Sequence, residues 1–532
     1  MSESISNERL SKRNLWGYSM GGIGRDMAYQ LVNTYLLTFI TFTKGLSNTE
    51  FAMVGVIMVI CRIFDGCNDP FMGSLIEITR TKIGKFKPWI LAGVFTNVAV
   101  IIALFCVPLR GTSYLIFFAF GYLLWGMTYT MNDISYWGMM PSLTSNPGDR
   151  NNLTTLANIG AGVGAGLSVL AIPSLTQGNL AIASNASKSY AIVSIIVCIV
   201  FFVCQIMTVF VVKEKPLPKV RVDDGEKRSL KEMFRVIFKN DQLKPVMAAM
   251  LLYSIGSGIT MALASYWIYY RFAYQGLLVT LFTVISGIST VVIVFFPILC
   301  KKHSRRWISK LSMIMIIVGY LLMFIISLAT GADPKADKVG FNVGEVFIPV
   351  TFIFTGLSGA CAFFGQTLFY QVLTISVANT VEYNEYTTGT RDEGVIFACR
   401  PFTTKLGSAA VVGITTLVVL ALGLNPTNKA ISNADYEAGQ LAIQVEQLVK
   451  DETPNFDSLS KEEQTKLIEA KKKSIETENV AKIEDIIHTN EDTKVAKWQY
   501  QTMFAFMTLL PLLILLGSFA IYFKKYNISE ER

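Results

Sequence analysis

The sequence predicts an all-α polytopic membrane protein with about twelve transmembrane helices in two six-helix bundles. Three observations lead there. Charge is depleted: 52% of the 532 residues are hydrophobic and 16% are charged, against about 25% charged in soluble chains, and mean hydropathy is +0.44. Apolar runs such as "WILAGVFTNVAVIIALFCVP" (89–108) and "FAFMTLLPLLILLGSFAIYF" (504–523) recur, and roughly 20 such residues carry a helix across a bilayer. A polar, basic break at 213–243 divides the runs six and six. Barrel strands would instead alternate polar and apolar over about ten residues.

In chain order the spans are expected near 15–43, 49–78, 89–108, 114–140, 153–175, 189–212, 244–271, 277–300, 308–329, 345–376, 394–424 and 498–523. The first six make an N-terminal bundle over 1–212, and 213–243 is a linker with an amphipathic piece, "SLKEMFRVIF". Residues 244–532 make the second bundle. This six-plus-six layout is that of transporters built around a central pathway. The opening "MSESISNERLSKRNLW" is polar for too long to be a signal peptide.

Lys and Arg cluster in "NERLSKRN", "TRTKIGKFKP", the 213–243 break, "KKHSRRW" and "FKKYN", alternating with poorer breaks. The positive-inside tendency puts the rich set on the cytoplasmic side. Both termini are then cytoplasmic, in a multi-pass protein of the cell membrane. The net charge of +8 reflects this topology and is no nucleic-acid footprint. A long polar segment, 425–497, precedes the last span and is extracytoplasmic by the same count. Its helical composition, with Ser460 and Glu463 spaced as a capping box, reads as a small helical surface insertion.

Ionisable residues inside the spans carry the functional signal. "CRIFDGCNDP" (61–70) places Arg62, Asp65 and Asp69 within a greasy stretch. On a helix Asp65 and Asp69, four apart, share a face, with Arg62 on the same stripe and Asn68 adding a neutral oxygen. A charge at mid-bilayer costs at least ~2.5–3.5 kcal/mol, so these groups are expected to face a protein interior or a wet cavity. Two carboxylates and an amide oxygen suit a small hard cation or a shared proton. The first span holds Arg25 and Asp26, and the fourth holds Thr130, Asp133 and Trp137 on one face. Lys405 is a lone cation early in the eleventh. Carboxylates that accept from paired hydroxyls, beside an aromatic face at Trp137, suit a sugar better than an amino acid.

Other signals exclude chemistry. The eight cysteines contain no C-x-x-C pair, so neither a disulfide framework nor a zinc site is expected. "NIGAGVGAG" (158–166) lies in an apolar span and reads as close helix packing by small residues. No phosphate-binding loop is present, and no nucleophile–base pair marks an enzyme.

The blocks "GRDMA", "CRIFDGCNDPFMG", "TRTKIGKFKPWIL", "LLWGMTYTMNDISYW" and "NTVEYNEY" followed by "TTKLGS" resemble, in order, the glycoside–pentoside–hexuronide:cation symporters, the group containing melibiose permease. The resemblance covers nearly all of the chain except 425–497. It implies a major-facilitator fold with alternating access, and sugar uptake driven by Na⁺, Li⁺ or H⁺ without another cofactor. Carried over by motif, Asp65, Asn68, Asp69 and Thr130 fall where the family binds its cation. Asp65 and Asp69 would be the Na⁺ ligands if coupling is to sodium. Asp26, Asp133 and Trp137 fall at the sugar, with Arg25 beside Asp26 and Lys405 near both sites. Arg62 joins the charge network, and Arg80, Lys82 and Lys85 lie in a loop similar to the one that helps control opening. Asn158 stands where relatives carry a sugar-contacting arginine, a departure from galactoside-type recognition, and Tyr370 stands where melibiose permease has a tryptophan. The last span lies close to Arg532, so a C-terminal phosphotransfer domain of the kind some members of that family carry is not expected. The expected partners are a sugar or glycoside, the coupling cation and the lipid bilayer. The alternative reading is a non-transporting membrane sensor or scaffold that uses 425–497 for docking.

Overall fold

A computed structural model describes residues 10–144, 146–178, 180–214, 239–272, 274–289, 295–330, 339–343, 346–389 and 393–528. Helices dominate: α1 (Lys12–Thr43), α2 (Asn48–Ile78), α3 (Lys87–Cys106), α4 (Gly111–Leu143), α5 (Pro147–Thr176), α6 (Ala186–Val211), α7 (Leu243–Arg271), α8 (Gly276–Ser289), α9 (Phe296–Lys302), α10 (Arg305–Thr330), α11 (Val350–Thr388), α12 (Glu393–Ala421), α13 (Asn425–Ile443), α14 (Val445–Glu452), α15 (Lys461–His488) and α16 (Lys497–Lys525). Strands β1 (Gly340–Val343) and β2 (Val346–Pro349) pair antiparallel ahead of α11. Every expected span meets a helix. The eighth is met by α8 and α9, with 290–294 outside the described residues, as is the expected amphipathic piece of the linker. Among the described residues nine helices are long and apolar enough to cross a membrane. Helices α1 and α2 are not among the nine, and they are the two that carry Arg25, Asp26, Arg62, Asp65 and Asp69.

The chain divides into two compact units, 1–40 with 64–172 and 187–227, and 41–63 with 173–186 and 228–532. In the first unit, buried polar groups fix the helices where apolar packing alone leaves rotation free. Tyr18 of α1 and Tyr136 of α4 stack with centroids 4.5 Å apart, and each hydroxyl donates to the other's backbone carbonyl. Gln205 of α6 donates to Gly21 O and accepts from Asn132. Asn97 of α3 donates to Thr128 of α4. Two of the four glycines in 158–166 make the predicted close packing: a Cβ on Gly160 or Gly164 would collide with the carbonyl oxygens of Ser19 and Ile23 on α1, whereas Gly162 and Gly166 face open space. The four-residue spacing of the first pair is what lets two backbones approach.

In the second unit α7 packs on α12 and α16, and α10 on α11, around Leu243, Val246, Phe369, Val372 and Tyr522. The 425–497 segment is a helical insertion, α13 to α15, with a small core of its own at Ala438, Val445, Val449, Phe456 and Ile475. The expected capping box is present at the start of α15: Glu463 N–H donates to Ser460 Oγ, and Ser460 N–H donates to the Glu463 carboxylate. The insertion is tied to the end of α7, where His488 Nε2 lies 2.9 Å from Tyr270 O. Asp435 of α13, 2% exposed, accepts the first backbone N–H of α6 at Ala186, 2.5 Å away.

Candidate functional site

Two side-chain clusters, both in the first unit, gather seven of the residues that the sequence singles out: Arg25, Asp26, Asp133 and Trp137 in one, Asp65, Asp69 and Thr130 in the other. In the first, Arg25 of α1 is 3% exposed. Its Nη1 donates to Asp133 Oδ1 of α4 at 2.7 Å and its Nη2 to Asp26 Oδ2 at 2.5 Å. The guanidinium carbon also lies 4.8 Å from the Trp137 ring centroid and 4.9 Å from that of Tyr136. The Tyr18–Tyr136 stack fixes α1 against α4 one to two turns away, so the arginine meets its partners without a long excursion. Exposure separates the roles. The Arg25 side chain is sealed at 4%, while those of Asp26 and Asp133 keep 20% and 34% of their surface open. The carboxylates can meet a ligand, and the arginine neutralises and orients them.

In the second cluster, Thr130 Oγ1 donates to Asp65 Oδ1 at 2.7 Å and lies 3.4 Å from Asp69 Oδ1. The helical spacing of the two acids does bring them onto one face, against α4. Asn68 is buried beside them in sequence, but its amide nitrogen has no partner and it makes no hydrogen bond to either acid. Arg62, one turn earlier on α2, is 3% exposed. Thr130 and Asp133 are three residues apart on α4, so a single turn of helix carries one residue of each cluster.

The α2–α3 turn is organised by a residue that the sequence reading missed. Glu214, just beyond α6, accepts the backbone N–H groups of Lys85 and Lys87, placing a carboxylate at the α3 N-terminus where the helix dipole favours it. Gly84, at φ 120, leaves room for that carboxylate; a Cβ there would lie 2.6 Å from it. Lys87 Nζ donates to Val212 O at 2.6 Å, and Trp89 Nε1 to Thr79 Oγ1 at 2.8 Å. Arg80 and Lys82 are exposed; Lys85 lies over the Phe86 ring. Glu214 stands in a basic, polar break, where an isolated acid gives no periodic signal.

In the second unit, Tyr370 of α11 stacks on Tyr253 of α7, 5.3 Å between centroids. It accepts two hydrogen bonds from Arg400 of α12, at 2.8 and 3.1 Å. Arg400 is a further intramembrane cation that sequence reasoning passed over. Its signal was present, an arginine five residues before Lys405 in the same span. Lys405 is half-buried on α12, and Asn158 is exposed on α5 and joins neither cluster.

A family model described as MFS/sugar transport protein matches residues 17–443. The raffinose carrier protein of Pediococcus pentosaceus is 26% identical over 437 residues, covering 80% of this chain and 64% of the relative. A lactose permease of Lactobacillus delbrueckii subsp. bulgaricus is 28% identical over 440 residues, covering 80% and 66%. The chain thus spans about two thirds of the length of these relatives. Among solved structures, the nucleoside transporter NupG superposes with a TM-score of 0.53 at 12% identity, over 96% of this chain and 99% of that one; at that identity it speaks for the fold. The profile match over most of the chain and the helical architecture agree: the chain belongs to the MFS/sugar transport protein family.

Proposed function

We propose that the chain is a secondary symporter that moves a glycoside, pentoside or hexuronide across the cell membrane together with Na⁺, Li⁺ or H⁺. The observation that carries the reading is the pair of clusters joined through one turn of α4. Asp65 and Asp69, with Thr130 donating to Asp65 and close to Asp69, form the cation or proton site. Among the described residues no group of three or more His, Cys, Asp or Glu converges, and a two-carboxylate site suits a monovalent ion or a proton. Asp26 and Asp133 accept sugar hydroxyls from their open faces, Arg25 holds both carboxylates in place, and the Trp137 ring covers an apolar sugar face. A bound cation neutralises the acid pair and lets Thr130 settle, which orders Asp133 for the sugar. The linkage is reciprocal, so the sugar tightens the cation by the same factor. Relatives named for raffinose and lactose support the substrate class.

Lys405, Tyr370 and Asn158 are assigned to sugar recognition, and Arg80, Lys82 and Lys85 to gating, on the family resemblance alone. Alternating access by the two six-helix halves, cytoplasmic termini and an extracytoplasmic 425–497 segment complete the proposal.

The test is uptake of labelled lactose and raffinose into vesicles carrying the protein, under an inward Na⁺ gradient at fixed pH and, separately, under a proton gradient. Accumulation is expected under one gradient. Asp65→Asn and Asp69→Asn are expected to abolish it while the protein still reaches the membrane. Gradient-driven accumulation unchanged in both variants overturns the site assignment.

A further inference from the structure

We infer that the cavity between the start of α10 and the end of α16 binds the phosphate group of an anionic phospholipid. The cavity is about 220 Å³, smaller than most small-molecule sites, so it takes a headgroup and leaves acyl chains outside. Ser304, Arg305 and Arg306 line it from the α10 side, and Tyr522, Phe523 and Tyr526 from α16. Among the described residues that line it, the two arginines are the only charged ones. Exposed lysines extend the positive charge, Lys301 and Lys302 at the end of α9 and Lys524 and Lys525 at the end of α16. No Asp or Glu occurs in 296–310 or 518–528. Two guanidinium groups with no carboxylate beside them select an anion, and the oxygens of one phosphate can accept from both. A zwitterionic headgroup would bring a further cation against them. Arg305 and Arg306 also open α10, where the helix dipole disfavours cations and favours anions. A bound phosphate offsets both charges at once.

The aromatic wall is held in place by bonds of its own. Tyr522 and Tyr526 are buried and stack with centroids 5.0 Å apart. The Tyr522 hydroxyl pairs with that of Ser376 at 3.0 Å, and the Tyr526 hydroxyl accepts from Asn379 at 3.3 Å. Asn527 N–H donates to the Gln242 side chain at 2.8 Å, which fixes the chain just beyond α16. Asp241, next to Gln242, accepts from that side chain at 3.0 Å and does not line the cavity. The position of α10 identifies lipid as the source of the phosphate. Trp307, Ile314, Leu321 and Leu328 recur every seventh residue along one face of α10, and all four are exposed. On a membrane-spanning helix that face meets acyl chains. Tryptophan gathers at the membrane–water interface, so Trp307 marks the headgroup end of the stripe. Arg305 and Arg306 directly precede it, which puts the cavity at headgroup depth. Basic pockets between spanning helices are recurrent headgroup sites. The inference does not depend on which solute the chain transports.

The test is native mass spectrometry of the full chain in detergent, which counts bound lipids. Dioleoyl-phosphatidylglycerol, dioleoyl-phosphatidylcholine and, as a soluble source of the same group, glycerol 1-phosphate are titrated separately. The first phosphatidylglycerol is expected to bind more tightly than phosphatidylcholine or glycerol 1-phosphate. Each arginine near a membrane surface contributes about 5-fold to the binding of an anionic lipid. Arg305→Gln with Arg306→Gln is therefore expected to weaken the first phosphatidylglycerol about 30-fold and to leave phosphatidylcholine unchanged. Arg306→Gln alone, at an exposed position, should weaken it about 5-fold at an unchanged Tm, and it decides the matter if the double variant fails to fold. Lys472→Gln with Lys473→Gln, exposed on α15, removes the same charge elsewhere and is expected to change neither affinity. Equal affinity for the two lipids, unchanged phosphatidylglycerol binding in Arg306→Gln, or an equal loss in the α15 variant overturns the inference. Glycerol 1-phosphate binding as tightly as phosphatidylglycerol assigns the cavity to a soluble anion and overturns it as well.

Discussion

Thr130 donates its hydroxyl to Asp65 across 2.7 Å, and so ties α4 to α2 at the carboxylate pair. The contact makes a threonine, the least conspicuous member of the cluster, the link between the acid pair and Asp133 one turn away. A hydrogen bond to a charged group contributes roughly 1.5–3 kcal/mol, or about 10- to 100-fold in affinity. Thr130→Val keeps the shape and removes the donor. It is expected to weaken the activating cation by about that factor in uptake assays, while Thr130→Ser retains most of the coupling. Equal cation dependence in both variants argues against a role for the hydroxyl.

Arg25 holds two carboxylates while sealed from solvent. Removing one partner of a buried ion pair costs about 3–5 kcal/mol, because the remaining charge is left uncompensated, whereas replacing the whole set by apolar groups is often tolerated. Arg25→Met alone is therefore expected to lower the Tm sharply. The triple change Arg25→Met, Asp26→Leu, Asp133→Leu should recover much of the stability and none of the sugar binding. Melting curves and equilibrium dialysis, run on the same preparations, separate the two effects.

The glycine run gives a position-specific stability test. Gly160 and Gly164 have no room for a Cβ against α1, and Gly162 and Gly166 have open space. Overpacking costs about 1–3 kcal/mol, so Gly160→Ala and Gly164→Ala are expected to lower the Tm. Gly162→Ala gains up to about 1 kcal/mol of helix propensity and should raise it slightly. Identical shifts at all three positions would show that the run does not pack as described.

The contrast between these elements shows what was legible. Spans follow from apolar length, and Asp65 with Asp69 follow from four-residue spacing, so the sequence predicts both. The run at 158–166 announces close packing, but four glycines at every second position cannot say which two face α1; rotation of α5 about its axis is settled by tertiary contacts. Glu214 and Asp435 were invisible for a related reason. Each satisfies backbone N–H groups at a helix start far away in sequence, Lys87 of α3 and Ala186 of α6, and nothing local marks an acid for that task. Arg400 was legible as a charge within a span, yet its partner Tyr370 lies 30 residues away on another helix.

The start of α15 titrates in a predictable direction. Glu463 is held below the usual glutamate range, first by the Ser460 hydroxyl and then by the Ser460 backbone N–H. Both bonds favour the charged form. A carboxyl with a depressed folded-state pKa stabilises above its unfolded pKa, and that contribution is lost as pH falls through the folded value. The first turn of α15 is thus expected to fray as pH drops below the ordinary glutamate range, with the spans unaffected. Amide exchange at 461–465, corrected for the intrinsic pH dependence of exchange, reads it directly. Glu463→Gln keeps a side chain able to accept and should flatten the pH profile, whereas Ser460→Ala should raise exchange at neutral pH as well. A profile in Glu463→Gln identical to that of the unmodified chain would place the titrating group elsewhere. The neighbouring candidate is Glu476, whose carboxyl is pushed upward by burial. A group raised in this way gains stability as pH falls, so the two acids are told apart by sign.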